Sequence, residues 1–496
     1  VKGLPSLSSL ALTLRTDRQV RARALLIARI AIALYIVELA LNLIRPHVLP
    51  DEPALSIFYK MPADLAKMPG LGGSFSQLLS MPEAVFWAVL VGIGAAVLLQ
   101  VLAAVLRPNE RRSGLLTWLT LGCLFLPFGL ISLMVVFGFF PTALACVPST
   151  AFVLLLLYGG VRFGRVPGAA LLTAFGWGAL IVFGFGRACT GLAFGTINGY
   201  LGKTSGTDIN AMLKNTNEMI NLVLVHLGIV DALAIGAGVA LLLLLFRYRV
   251  TDAVTGLTLG AAVGLGYSFV ESILFIQIYG SLGSALGSSG GFEYWIRQSI
   301  GLLGGEVAFG ALLGAGFAIA ANSRRCVLVT GLSLLAAGGG AVGAETLSGW
   351  ISARLASHVT TGGALDTLVV SPFLWLLPQL PFIGLAVALL VLGLRERAPA
   401  LRDALDAEAA VGAAITPVEL TVLASPALRL GALASTWRWY GRRSALVLHR
   451  LQSAQLELAS WHAQKDPDND PAVTSQGDEL RARVLRLKNV VPAVTS

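Results

Sequence analysis

Charge is scarce in this chain: only 13 % of its 496 residues are Asp, Glu, Lys or Arg, while 56 % are hydrophobic and the mean hydropathy is +0.77. That shortage excludes the polar surface of an ordinary soluble domain and points to a polytopic membrane protein. The short alternating segments of a transmembrane barrel are also missing, which leaves helices as the spanning elements. Cysteine is rare, with four in all, three of them in or beside apolar runs, so no disulfide framework is expected. The excess of nine positive charges lies in short loops and both tails, where it sets topology and contacts anionic lipid. It does not read as a nucleic-acid surface. A phosphate loop is lacking too, because GKTSG at 202–206 has neither the preceding glycine spacing nor a strand before it.

What the chain does have is a series of long apolar runs, at about 24–44, 83–106, 115–139, 149–161, 168–185, 218–246, 251–280, 294–321, 326–347 and 369–394. They predict an all-α, polytopic transmembrane helix bundle of about ten spans. The first run is too long for a signal peptide and is expected to stay as an anchor. Placing the N-terminus in the cytoplasm puts the basic groups at 107–114, 162–165, 247–249, 324–325 and 395–402 on the cytoplasmic side, with both termini inside. The expected organisation is an N-terminal membrane region of about five spans (1–217), a membrane core of about five more (218–395), a cytoplasmic helical tail (396–465) and a disordered end (466–496). The connections at 140–149 and 280–291 read as a turn and as a flexible Gly/Ser segment. Leucines among arginines in 436–462 suggest helices on the membrane surface or against the bundle.

The stretch that organises the chain is TDAVTGLTLGAAVGLGYSFVESILFIQIYG, 251–280. It is long enough to cross a bilayer, yet Glu271 sits inside it, and an intramembrane carboxylate faces a bundle interior or a watery cavity. Gly256, Gly260, Gly264 and Gly266 remove bulk before it, so that a neighbouring helix can approach closely. With the spans as drawn and about 1.5 Å of rise per residue, Glu271 and His226 lie about 12 Å below the outer ends of their helices, and Asp231 and Glu306 about 18 Å below theirs. All four share the outer half of the bilayer; Glu345 lies at a membrane edge. Two chemistries are open to such a cluster. Paired carboxylates can divide the roles of acid and base between them in a hydrolysis, or His226 with Asp231, Glu271 and Glu306 can hold a divalent ion such as zinc. The five-residue spacing of His226 and Asp231 is a poor match to a helical i, i+4 ligand pair. Arg297, near the outer end of its span, can anchor an acidic partner or extend toward the interface.

The segment DAVTGLTLGAAVGLGYSFVESILF resembles the signature helix of PrsW-type intramembrane proteases, with Glu271 on the family's Glu and Ser272 where Asn is usual. Arg297 and EVAFGALLGAGFAIA, Glu306 to Ala320, resemble the next motif, with Phe309 on its Phe, Gly310 replacing Thr and Glu306 replacing His. A later family His falls near Glu345, and 416–459 resembles the C-terminal region of actinobacterial members. The resemblance covers about 221–460. It implies a bacterial, multi-pass cell-membrane peptidase acting on single-span membrane proteins, with Glu271, Glu306, His226, Asp231 and Glu345 as candidate site residues; no cofactor is strongly indicated, a divalent metal being the alternative read from the residues themselves. The altered motif positions leave open a non-catalytic binding or regulatory pseudoprotease, or a small-solute transporter.

Overall fold

The computed structural model describes residues 18–44, 74–106, 110–164, 166–188, 209–246, 250, 252–286, 290–356, 364–412, 414–464 and 471–489. Every regular element among them is helical. In chain order these are α1 (Arg18–Ile44), α2 (Ser74–Leu106), α3 (Glu110–Gly138), α4 (Phe140–Gly160), α5 (Gly168–Ala188), α6 (Ile209–Leu245), α7 (Ala253–Leu286) and α8 (Gly290–Trp295). There follow α9 (Gly305–Asn322), α10 (Cys326–Ala356), α11 (Ser371–Leu376), α12 (Leu380–Val411), α13 (Pro417–Ala424), α14 (Pro426–Gln464) and α15 (Pro471–Lys488). Nine helices among the described residues are long and apolar enough to cross a membrane. The chain is thus an all-α multi-pass membrane protein. The expected first span coincides with α1, part of which lies outside the residues whose side chains are described.

The chain divides into two compact units, Val1–Leu155 with Pro167–Leu389, and Leu156–Val166 with Leu390–Ser496. In the first unit burial separates the helices sharply. In the most apolar stretches of Ala253–Gln277 and Gly301–Ala321 83 % of the residues are buried, against 22 % in that of Ala88–Leu106, so the two former segments are the centre and the latter shows most of its apolar surface outward. Outward leucines and valines such as Leu98, Val105, Leu155 and Val327 suit lipid, which is as apolar as they are.

The central pair, α7 and α9, runs antiparallel on facing glycines. Gly256 meets Gly314, Gly260 meets Gly310, and Gly264 meets the backbone of Glu306. A Cβ on any of the three would strike a carbonyl of the opposite helix. Only hydrogen fits there, and the two backbones pack at the distance of a small-residue membrane contact. The spacing of four along α7 keeps all three on one face.

α5 carries one irregularity. At Gly178–Val182 its backbone takes a π turn, in which the Phe183 amide donates to the Gly178 carbonyl five residues back. Within this turn the Leu180 carbonyl also accepts from the buried Ser132 hydroxyl on α3 at 2.9 Å. Nearby, the Trp177 indole donates to the Gly238 carbonyl of α6 at 3.0 Å. The bilayer offers no water to meet such groups, so side chains do.

Three expectations about connections are corrected. Residues 140–149, read as a turn, form the start of α4, because Pro141 falls in a first turn where no intrahelical amide is needed. The segment 280–291, read as flexible, is helical to Leu286 and resumes a helix at Gly290, as backbone groups in or near lipid must pair within their own segment. The expected disordered end contains α15; residues 490–496 lie outside the described set. The GKTSG stretch and most of the 45–82 connection also lie outside it.

The second unit has its own apolar core. Leu401, Leu405, Ile415, Leu423 and Leu456 form one cluster, and Ala414, Leu451, Leu458 and Val484 another, which Leu480 and Leu487 of α15 cover. Thr416 begins α13 as a capping box, its backbone amide donating to Glu419 at 2.8 Å while its hydroxyl accepts from the Glu419 amide at 3.4 Å. Glu408, fully buried, accepts two hydrogen bonds from the Arg481 guanidinium at 2.5 and 3.0 Å and faces His462 Nδ1 at 3.0 Å. A buried carboxylate needs this forked partner.

Candidate functional site

The glycine contact fixes where Glu306 stands. Gly304 is extended and Gly305 has φ +50°, a left-handed conformation that glycine adopts without strain, so the chain turns sharply into α9. The Gly305 amide, one of the donors that a helix start leaves unmet, donates to Gln379 Oε1 at 2.7 Å. Glu306 then occupies the first turn of α9, where the positive end of the helix favours a carboxylate. It is buried, and it lies within hydrogen-bonding reach of Glu271, which is buried in α7. A hydrogen bond between two carboxyl groups requires one proton between them.

Asp231 on α6 is the third buried acid, and it too reaches Glu271. The Tyr267 hydroxyl, one turn before Glu271 on α7, donates to Asp231 Oδ1. Two arginines complete the arrangement. Arg187, in the last turn of α5, donates to Glu271 Oε1 and lies 3.5 Å from Asp231 Oδ2. Arg297, in the π turn that follows α8, lies 3.7 Å from Glu271 Oε2 and bonds Glu293 at 3.3 Å. The Phe275 ring stands between them, 4.3 Å from the Arg297 guanidinium and 5.8 Å from that of Arg187, and Phe183 lies 5.4 Å from Arg187. Aromatic faces of this kind hold guanidinium groups away from water. Ser272, beside Glu271, has a buried hydroxyl with no hydrogen-bond partner among the described residues.

Of the five candidates read from the sequence, Asp231, Glu271 and Glu306 come together. His226 and Glu345 lie on α6 and α10, but their side chains are outside the described set. Arg187 and Tyr267 were missed. Arg187 lies two residues past the expected end of its span and reads as the first residue of a loop. Tyr267 was legible in principle, since it precedes Glu271 by four residues and therefore shares its face.

Residues 166–370, which hold the three acids, the two arginines and Tyr267, match the family model of the PrsW family intramembrane metalloproteases. The membrane core is PrsW-type. No curated protein and no solved structure matches the chain. The PrsW description implies a metal ion, and the donors described here do not fit one. Each oxygen of Glu271 faces a guanidinium, and Asp231 is engaged by Tyr267 and Arg187. Among the described residues no three His, Cys, Asp or Glu side chains are placed to hold a metal. What the arrangement offers chemically is a group of buried carboxyls, Asp231, Glu271 and Glu306, in a water-poor interior with fixed cations beside it.

Proposed function

We propose that this PrsW-type protein is an intramembrane peptidase of the bacterial cell membrane, with both termini cytoplasmic, and that its hydrolytic groups are the Glu271 and Glu306 carboxyls. The observation that carries the reading is the meeting of these two acids across the glycine contact of α7 and α9. The ionised member would take a proton from water as its oxygen adds to the scissile carbonyl carbon. The protonated member would then deliver its proton to the departing amine as the C–N bond breaks. Arg187 and Arg297 are the groups to stabilise the oxyanion formed between these steps. The substrate class is a single-span membrane protein, which can enter a polar interior from the bilayer side.

A second reading rests on one observation, the engagement of both Glu271 oxygens by guanidinium groups. A site so fully paired suits a non-catalytic protein that binds or regulates a membrane partner. Cleavage of a membrane-embedded reporter by the reconstituted chain separates the two. Activity that is lost in Glu271→Gln and in Glu306→Gln and is unchanged by chelators supports the carboxylate peptidase. A folded parent that cleaves no single-span reporter, yet retains a membrane partner in both variants, supports the binding protein.

A further inference from the structure

The second unit displays a helix that its own core does not use. α14 bends at Gly441, whose φ of +79° and ψ of 175° interrupt the helix. Beyond the bend its residues are committed to packing, with Leu451, Leu456 and Leu458 buried in the two core clusters. Before it, none of residues 426–440 is buried. That first arm, PALRLGALASTWRWY, is nevertheless apolar and aromatic. Leu430 is 65 % exposed, Trp437 66 %, Trp439 75 % and Tyr440 52 %, and large apolar side chains exposed together in this way mark an interaction surface. Leu430, Leu433, Trp437 and Tyr440 follow one another at helical spacing and form a stripe.

The charge around this stripe has a single sign. Between Glu419 and Glu457 the sequence holds Arg429, Arg438, Arg442, Arg443 and Arg450, and no Asp or Glu. Arg438 lies over the Trp439 ring at 5.9 Å, so the cation and the ring present themselves together. Trp and Tyr beside Arg are the residues that settle at the headgroup level of a bilayer, and a run of arginines is drawn to anionic lipid. Together with α13 the arm is long and apolar enough for a span, but the two helices meet at a 105° bend. The apolar part of the arm alone covers about three turns against the roughly 20 residues that a straight span needs, so it would lie along the surface. The bilayer is close by covalent necessity, because the same helix α12 that contains the apolar run 380–394 passes into this unit at Leu390.

We propose that the arm Pro426–Arg443 is a membrane-surface anchor that docks its Leu/Trp/Tyr stripe into the headgroup region of an anionic bilayer. This inference is independent of whether the membrane core is catalytic. Its test uses the full chain with the four native cysteines replaced by alanine and one new cysteine, at Trp437→Cys or, as a second position, Tyr440→Cys. The cysteine carries an environment-sensitive fluorophore, and the protein is placed in nanodiscs of phosphatidylcholine alone or mixed with phosphatidylglycerol. Asp478→Cys, on α15 of the same unit and open to solvent, is the reference. The expected result is blue-shifted emission and several-fold weaker quenching by aqueous acrylamide at 437 and 440 than at 478 in the anionic discs. That protection should fall in phosphatidylcholine discs, at high salt and in Arg442→Gln/Arg443→Gln. Quenching at 437 and 440 equal to that at 478 in both kinds of disc would overturn the proposal. So would protection that ignores lipid composition, salt and the two arginines, which would mean that protein covers the arm.

Discussion

Replacing Gly264 by alanine sets two effects of opposite sign against each other. Helix propensity alone favours the change, by about 1 kcal/mol for a glycine in a helix interior. Packing opposes it. The new Cβ would collide with the Glu306 carbonyl and would lie 3.0 Å from the Val307 Cα. Ordinary carbon contacts lie at about 3.5–4.0 Å, so α7 and α9 would have to part by roughly 0.5–1 Å at this level. Overpacking of this kind costs about 1–3 kcal/mol, and the carbonyl collision argues for the upper end, which leaves a net loss on the order of 1–2 kcal/mol. The same displacement separates Glu271 from Glu306, and a misplacement of about 1 Å at reacting groups lowers a rate by about 10²-fold. The control is Gly339→Ala on α10, where a Cβ meets nothing within 4 Å and only the propensity gain remains. Thermal unfolding in detergent and reporter cleavage are then measured for both variants. Gly264→Ala should unfold at a lower temperature than Gly339→Ala and cleave far more slowly. Equal stability of the two variants would refute the close approach of α7 and α9, whatever the activity.

Four further outcomes are expected. Arg187→Leu leaves two buried carboxyl groups short of a cation and should destabilise the membrane unit by about 3–5 kcal/mol in a detergent unfolding series. Tyr267→Phe removes a hydroxyl that Asp231 accepts from, and a loss of about 1–3 kcal/mol is expected in the same series. In the second unit Arg481→Ala strands the buried Glu408 and should raise amide exchange in α15 by two or more powers of ten, corresponding to about 3–5 kcal/mol, whereas Glu408→Leu/Arg481→Leu should be close to neutral. Partial burial raises the Glu419 carboxyl, but the Lys488 ammonium at 2.6 Å and the Thr416 donors outweigh it and hold the group below its ordinary value of 4.5. Its contribution is therefore complete above that value and drains away as pH falls through the lower folded one, so the unfolding midpoint of this unit should decline in acid, and less so in Lys488→Gln.

Much of the membrane core was legible because its signals are local and strong. Apolar length announced the spans, glycines every four residues announced a close helix contact, and Glu271 was conspicuous as a charge in an apolar run. The shared depth of Asp231, Glu271 and Glu306 was legible from rise per residue, although rotation about each helix was not, and rotation decides whether side chains meet. Arg187 was missed because a cation at the end of an apolar run usually marks the membrane edge. Its partners lie 44 and 84 positions away in sequence. α15 was missed for a related reason. Its flank, 466–471, is rich in Pro, Asn and Asp, while the residues that pin the helix, Leu480, Val484 and Leu487, reveal their use only against Leu451 and Leu458.

The π turn of α5 sets the phase of everything after it. A helix that accommodates an extra residue in one turn rotates its remaining residues by roughly 100° relative to an uninterrupted one, the angle of a single α-helical step. Arg187 lies five residues beyond Val182, at the far end of that rotated segment, and it is this phase that aims it at Glu271 and Asp231. Removing one residue from 178–182 would let the helix close into regular α geometry and turn the guanidinium toward another face of the bundle. It would also withdraw the Leu180 carbonyl from Ser132, so the electrostatics of the site are indexed by an insertion two turns away, in a segment that itself carries no charge.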